Sequence, residues 1–430
     1  MDVYLGTLGC RLNEAELEHW QRELESGGDR VVGRVEDAQV AVLNTCAVTH
    51  LAGRKSRQSI RQLHRKNPEA KLVVTGCYAV LDADKIAQME GVDLVVDNLA
   101  KETLVRELRT KLDVANMPRM AEEAHAESSH LYAETRTRAF LKIQDGCRNR
   151  CTFCVVTILR GDERSIPVEA VLEQVKSLHA NGYQEVVLTG VHLGGYGSDI
   201  GSSLFELVDR VLTETNIPRI RLTSLEPWDL PDNFFTLWEN SRLQPHLHLP
   251  LQSGCDQTLR RMSRRASVES YTALVESAHT HIPDLTLTTD LIVGFPGECD
   301  SEWRETLATV QALGFAHMHI FSYSAREGTK AAGLKGHVPP DIKKARSKEV
   351  HRLASAMKER HLLAFLGQIR PVLFEGRSNT EQGDAVVYTG YTDNYLRVSV
   401  RDTQGAELTN TIRPVRLNRI DGDRYEGTLA

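Results

Sequence analysis

The sequence predicts an α/β protein in three parts: a parallel α/β domain, a partial (βα)6 barrel and a small C-terminal all-β barrel. Three observations predict it. Through the first ~110 residues, short apolar runs alternate with helical patterns. The alternation resumes at Phe140 with six apolar runs, too few to close an eight-unit barrel but enough for an open one. After about Gln368 the pattern turns to short alternating strands broken by turn residues.

In the first part the strand candidates are "VYLGTL", "QVAVLNT", "KLVVTG" and "DLVV", with helices following from Glu14, Leu51, Asp82 and Ala100. The part is assigned to residues 1–112. A polar, aperiodic stretch at 113–136 reads as a linker. The second part, 137–366, carries the strands "FLKIQD", "EVVLTGV", "RIRLTSL", "HLHLPL", "LTTDLIVG" and "HMHIFSYS". Helical patterns such as "PVEAVLEQVKSLHANG" and "SEWRETLATVQALG" separate most of them. The third part is 367–430.

Composition is that of a globular chain, 41% hydrophobic and 26% charged, and a net charge of −6 excludes a global basic field. The N-terminal "MDVYLGTLGC" has no basic region followed by an apolar run, and no stretch is long enough to span a bilayer. A cytoplasmic location without membrane association is expected. Eight cysteines in a chain of this length favour metal ligation over disulfides.

Three of those cysteines, Cys147, Cys151 and Cys154, fall in "DGCRNRCTFC" directly after a predicted strand. In parallel α/β folds such strand ends carry active sites. The C-x3-C-x2-C spacing suits three corners of a cubane iron–sulfur cluster with one iron left open. The alternative is zinc with a distant fourth ligand such as His192 or His246. A second triple, Cys10, Cys46 and Cys77, is scattered in sequence, yet each lies just past a predicted strand. If those strands are parallel neighbours, the three thiols converge on one sheet edge. Isolated buried cysteines would produce the same pattern only by coincidence.

"CRNRCTFC" resembles the cluster loop of radical S-adenosylmethionine enzymes, and the two triples together resemble the methylthiotransferases. Further matching segments are "LTGVHLGGYG", "SLEP", "HLHLPLQSG", "LRRMSRR" and "DLIVGFPGE". "GCRLNEAE", "NTCAVT" and "GVHLGGYG" look most like the branch acting on N6-threonylcarbamoyladenosine beside the tRNA anticodon. The resemblance covers essentially the whole chain. It implies a flavodoxin-like first domain, a radical-SAM barrel and a TRAM domain. It also implies two 4Fe–4S clusters, one on each cysteine triple, and S-adenosyl-L-methionine as cofactor. The implied partners are a tRNA substrate, an electron donor and a sulfur source. Isopentenyladenosine in tRNA, or a ribosomal-protein aspartate, is the alternative substrate. A non-catalytic RNA-binding iron–sulfur protein is disfavoured by the complete loop. A cobalamin-dependent enzyme is disfavoured by the lack of D-x-H-x-x-G in the first domain. One departure is "CVVTILRG", where many relatives have a proline soon after the third cysteine.

The resemblance sets Phe153 near the cofactor adenine and Gly190 beside its amino group, with Ser224 and Glu226 against its polar groups. An ordinary helix-start acid is the alternative for Glu226. Arg264 and Arg265 are candidates to hold a carboxylate or phosphate, or else form a solvated helix end. His246 and His248 read as barrel lining. Cys255 and Cys299 read as non-ligands, Cys299 at a helix cap. For RNA, the candidates are the basic run Arg54, Lys55, Arg57, Arg61, Arg65 and Lys66, and the stackers Tyr388, Tyr391 and Tyr395. The third part itself is not basic, with eight Arg, no Lys and nine acids.

Overall fold

Chain contacts in the computed structural model divide the protein into two units. Residues 1–113, 117, 137–379, 386–402 and 405–430 are described; the predicted linker, apart from Asp113 and Met117, lies outside them.

The first unit holds β1 (Asp2–Thr7), α1 (Arg11–Ser26), β2 (Arg30–Val32), β3 (Val40–Thr45), α2 (His50–Lys66), β4 (Lys71–Gly76), α3 (Cys77–Leu81), α4 (Ala83–Ala87), β5 (Val92–Val96) and α5 (Leu104–Lys111). The strands form one parallel sheet in the order β2-β1-β3-β4-β5, the flavodoxin-like order. β3 is buried at every residue, as apolar runs covered on both faces must be. Val3, Leu5, Val40, Val42 and Val73 pack on one face with Trp20, Leu24 and Leu108. Ala41, Leu43 and Val74 pack on the other with Ile60 and Ile86. β2 was not predicted: three residues paired only to β1 leave too short a pattern to read. The single helix expected from Asp82 is two short ones, and Cys77 opens the first. The unit also includes Gly146–Arg148 and Val155–Asp162, the latter bearing α6 (Val156–Arg160). Val155 and Leu159 enter its second core.

The second unit begins with β6 (Arg138–Lys142) and the two-residue pair β7 (Gln144–Asp145) and β8 (Arg164–Ser165). There follow α7 (Val168–Ala180), β9 (Glu185–Thr189), α8 (Leu204–Glu214), β10 (Arg219–Leu222), β11 (His246–His248), α9 (Asp256–Arg261), α10 (Val268–His281), β12 (Thr286–Val293), α11 (Asp300–Leu313), β13 (His317–Ser322) and α12 (Pro340–Phe365). All six predicted barrel strands form. They run in parallel in chain order, β6-β9-β10 and β11-β12-β13, joined by the bridges Ile220–Leu243 and Ser224–His248. α12 was not singled out in the sequence because its 26 residues are polar around most of the circumference.

β14 (Ile369–Asn379), β15 (Val386–Thr392), β16 (Arg397–Asp402), β17 (Ile412–Asp421) and β18 (Arg424–Leu429) close the predicted small barrel, in the order β14-β15-β16-β18-β17. Buried charge fastens it to the N-terminal ends of the partial-barrel strands. Glu185 accepts two hydrogen bonds from Arg221 at 3.0 and 3.2 Å, with Arg138 at 3.8 Å. Arg138 pairs in turn with Glu375, Arg219 donates to the Pro371 carbonyl at 2.7 Å, and Arg221 to that of Asp393 at 3.1 Å. The predicted RNA-stacking tyrosines are consumed here. Tyr388 is in the barrel core. Tyr391 and Tyr395 stack on each other at 4.7 Å, under Arg138 and Arg221 and against His246. Tyr388 is thus committed to packing, while the half-buried Tyr391 and Tyr395 already carry stacking and guanidinium contacts within the fold.

Burial alone would raise the Glu185 carboxyl, but Arg221 and Arg138 hold it below the usual range. A depressed carboxyl stabilises the fold above its unfolded pKa and loses that contribution as pH falls through the folded value. Glu185→Gln should therefore cost ~3–5 kcal/mol at neutral pH by leaving buried arginines uncompensated. The difference from wild type should shrink below pH ~4.3, as read by urea denaturation across pH.

Candidate active site

β1, β3 and β4 are adjacent and parallel, so the residues that follow them share one edge. Cys10 caps α1 after β1, Cys46 follows β3, and Cys77 opens α3 after β4. Two glycines make the approach close. Gly9 has φ +109°, and a Cβ there would lie 2.8 Å from Cys46 Sγ. Gly76 has φ +97°, and a Cβ there would lie 2.3 Å from the Thr45 carbonyl. No L side chain fits either position.

Beneath the edge lies a buried polar cluster that the sequence reading missed. Glu16 accepts from Lys101 at 2.5 Å, Arg160 at 3.0 Å and Asn44 at 2.8 Å. Lys101 also donates to Asn44 at 3.0 Å, and Arg160 to Asn13 at 3.0 Å. Asn13 Oδ1 lies 3.8 Å from Cys10 Sγ, and Asn98 Nδ2 lies 3.9 Å from Cys77 Sγ. Lys101 and Glu16 are 1% and 2% exposed, so neither charge is shared with water. Burial pushes Lys101 down, opposed by Glu16. Burial also pushes up the thiols of Cys10 and Cys46; Arg160 pulls both back, and the neighbouring cysteines raise them further. Three converging soft donors, backed by two cations against one carboxylate, fit an iron–sulfur cluster bound through thiolates. A signal was present in "CRLNEAELEHW": Asn13 and Glu16 share the inward stripe of α1 with Leu17, Trp20 and Leu24.

The C-x3-C-x2-C loop follows β7. The Cys147 N–H donates to the Gly161 carbonyl at 3.0 Å within the first unit. In the second unit the Cys154 N–H donates to the Cys151 carbonyl at 3.1 Å. Thr152 ties this end of the loop down, its N–H to the Met262 carbonyl at 3.0 Å and its hydroxyl to that of Arg261 at 2.8 Å. Phe153 meets Phe295 edge to face at 6.4 Å. Gly190 follows β9, where a Cβ would come within 3.0 Å of Gln144 Oε1. Ser224 bridges to His248, and Glu226 lies 3.7 Å from Arg264, outside any helix, so it is not a helix-start acid.

Arg264 and Arg265 do not form the expected pair. Ser263 takes φ 57° and ends α9, turning Arg264 inward while Arg265 stays exposed. Arg264 donates to the Pro250 carbonyl at 2.6 Å and covers the Trp228 ring at 4.2 Å. Burial raises the Cys151 thiol, and Arg264 opposes it.

His192 is engaged at both ring nitrogens, by Glu163 and by Asp229 at 2.6 Å, with Asn149 of the loop 3.0 Å from Nε2. Burial would lower its pKa, but the two carboxylates outweigh that and raise it. Both ring nitrogens of His192 are thus engaged by side chains. His246 and His248 line the barrel as expected, both against Thr288, with His248 3.3 Å from Asp290. Cys299 caps α11, and Cys255 is buried ahead of α9.

Residues 141–310 match the Radical SAM superfamily, and residues 2–97 match the uncharacterized protein family UPF0004. The chain is 36% identical to the threonylcarbamoyladenosine tRNA methylthiotransferase MtaB of Bacillus subtilis, over 94% of this chain and 91% of that one. This chain belongs to the radical S-adenosylmethionine methylthiotransferases. Its identity to the MtaB of Thermotoga maritima is 35%, over 92% and 90% of the two chains. To the tRNA-2-methylthio-N(6)-dimethylallyladenosine synthase of Staphylococcus haemolyticus it is 33%, over 93% and 80%. Among solved structures, the radical S-adenosylmethionine methyltransferase TsrM of Kitasatospora setae superposes with a TM-score of 0.58 at 14% identity, over 77% of each chain. That likeness concerns the fold alone. For a methylthiotransferase, the edge bearing Cys10, Cys46 and Cys77 fits a cluster bound through thiolates.

Lys101→Met should destabilise the first unit by ~3–5 kcal/mol, because Glu16 loses a buried partner. Hydrogen–deuterium exchange of the β1, β3 and β4 peptides should accelerate, and Glu16→Gln combined with Lys101→Met should recover part of the loss. Unchanged exchange would show that the cluster does not hold these strands.

Proposed function

We propose that this protein is a tRNA methylthiotransferase that replaces the C2 hydrogen of N6-threonylcarbamoyladenosine, next to the anticodon, with a methylthio group. The observation that carries the reading is the pair of thiol sets in a chain 36% identical, over nearly its full length, to a relative of that activity. In this reading Cys147, Cys151 and Cys154 hold the radical 4Fe–4S cluster, and Cys10, Cys46 and Cys77 the auxiliary one. The domains are 1–112, 137–366 and 367–430. The enzyme acts in the cytosol and draws on an electron donor and a sulfur source outside this chain; among the described residues no helix is long and apolar enough to cross a membrane.

When bound, the clusters and S-adenosylmethionine supply the radical and sulfur chemistry that an unactivated C–H bond requires. The chain's own residues bind and orient. Phe153 and Gly190 shape the cofactor slot, the first by ring contact and the second by having no side chain. Ser224 and Glu226 offer polar partners for the cofactor, with Glu226 steadied by Arg264. Lys101 and Arg160 keep positive charge behind the auxiliary thiols. The dimethylallyladenosine synthase relative at 33% identity favours isopentenyladenosine tRNA as the second reading.

Two 4Fe–4S clusters should bind per anaerobically reconstituted chain, and alanine at all three residues of either triple should leave one, by iron and sulfide assay. The variant lacking Cys10, Cys46 and Cys77 should still cleave S-adenosylmethionine to 5′-deoxyadenosine under strong reductant, yet insert no sulfur. Two clusters in that variant would refute the auxiliary assignment.

The substrate assignment is read by nucleoside mass spectrometry. Purified enzyme should methylthiolate tRNA carrying the threonylcarbamoyl group at least about tenfold faster than isopentenyl-bearing tRNA, the scale at which one unmatched polar group discriminates. Equal rates would sink the nucleoside assignment and leave the reaction class standing.

A further inference from the structure

α2 begins four residues after Cys46, so its N-terminal end starts from the strand edge that bears the auxiliary thiols. Its sequence, HLAGRKSRQSIRQLHRK, has six Lys or Arg and no acid, in a chain whose net charge is −6. The sequence alone left this run open between a solvated face and a phosphate site. Arg54, Lys55, Arg61, Arg65 and Lys66 are exposed. Arg57 is committed to the Tyr78 hydroxyl at 2.7 Å, and Lys66 lies 3.6 Å from Glu36. Among the described residues, no carboxylate lies within 4.0 Å of Arg54, Lys55, Arg61 or Arg65.

Those positions are not scattered around the helix. At about 100° per residue, Arg54, Arg61 and Arg65 fall within about 40° of one another, stepping about 10 and 6 Å along the axis. Lys55 and Lys66 flank them on one side. Like charges three or four residues apart cost helix stability, and an ordinary solvated face relieves that cost with interleaved acids. This face has none. A protein partner would ask for an apolar centre in the patch; here arginine and Gln58 fill the centre of the stripe, and the exposed Leu51 lies at its N-terminal end.

We propose that the Arg54–Arg61–Arg65 face of α2 docks the phosphodiester backbone of the tRNA substrate. The inference rests on the tRNA reading above. Three exposed arginines in a row with no acid among them give charge complementarity to a phosphodiester backbone without sequence readout. The face grips the backbone while the site reads the base.

The test reverses the stripe with Arg54→Glu, Arg61→Glu and Arg65→Glu in the reconstituted full-length enzyme. All three side chains are exposed, so circular dichroism and iron content should match wild type. Affinity for threonylcarbamoyl tRNA, measured by fluorescence anisotropy, should fall at least about tenfold, and the slope of log K against log salt should flatten by about 2–3. S-adenosylmethionine cleavage without tRNA should not change. The Arg→Lys triple variant should keep both affinity and slope. Unchanged affinity and slope in the reversal variant would overturn the proposal, as would a defect confined to reduction by an acidic electron-donor protein. Wild-type enzyme that bound no tRNA would overturn the tRNA reading along with it, so the two failures are distinguishable.

Discussion

The Glu16 carboxylate, buried between Lys101 and Arg160, is the interaction on which the first unit depends. Its three anchors come from α1, from the segment after β5 and from α6. Unpaired, any of these charges would cost several kcal/mol in so dry a place. Paired, they fix α1 beneath the strand ends and hold α6, which follows the C-x3-C-x2-C loop, against the first core. Asn13 and Asn44 complete the arrangement by satisfying Arg160, Lys101 and neighbouring carbonyls. One excess positive charge among Glu16, Lys101 and Arg160 then lies behind three thiols. An apolar base would disfavour thiolates; this one opposes the burial that raises Cys10 and Cys46.

The second unit solves a different problem with similar means. An open barrel must keep its lumen accessible, so its strands cannot be held by packing across the interior. At the N-terminal ends, Glu185 gathers Arg138, Arg219 and Arg221, and their remaining donors reach into the C-terminal barrel. At the C-terminal ends the polar groups serve the loop instead: His192 through Asn149, Arg264 beside Cys151, and Thr152 tied to the end of α9. Buried arginine thus acts as scaffold at both ends. Arg264 and the stacked Tyr391 and Tyr395 accordingly have partners within the fold that their sequence context did not show.

Much of this was legible in the sequence. The six barrel strands, the four longer strands of the first sheet and the small β-barrel all appear as periodic apolar runs, because burial selects residue types at fixed spacing. The missed elements are those where periodicity has no room or no contrast: three-residue β2, two-residue β8, and polar α12. The cysteine loop was readable because its three thiols are local. The second triple was readable only as three strand ends, and its convergence hung on the strand order.

By itself the sequence determined the types of element, the two thiol sets and the basic run of α2. Each is carried by residues near one another in the chain, or by a pattern repeated within one element. The tertiary structure alone decided that β1, β3 and β4 are neighbours, so that Cys10, Cys46 and Cys77 share an edge. It also decided which charges are buried. Glu16 meets Lys101 across 85 residues and Arg160 across 144. Lysine, arginine and glutamate are almost always solvated, so no local pattern marks the few that are not. Their partners exist only once the sheet has closed over them.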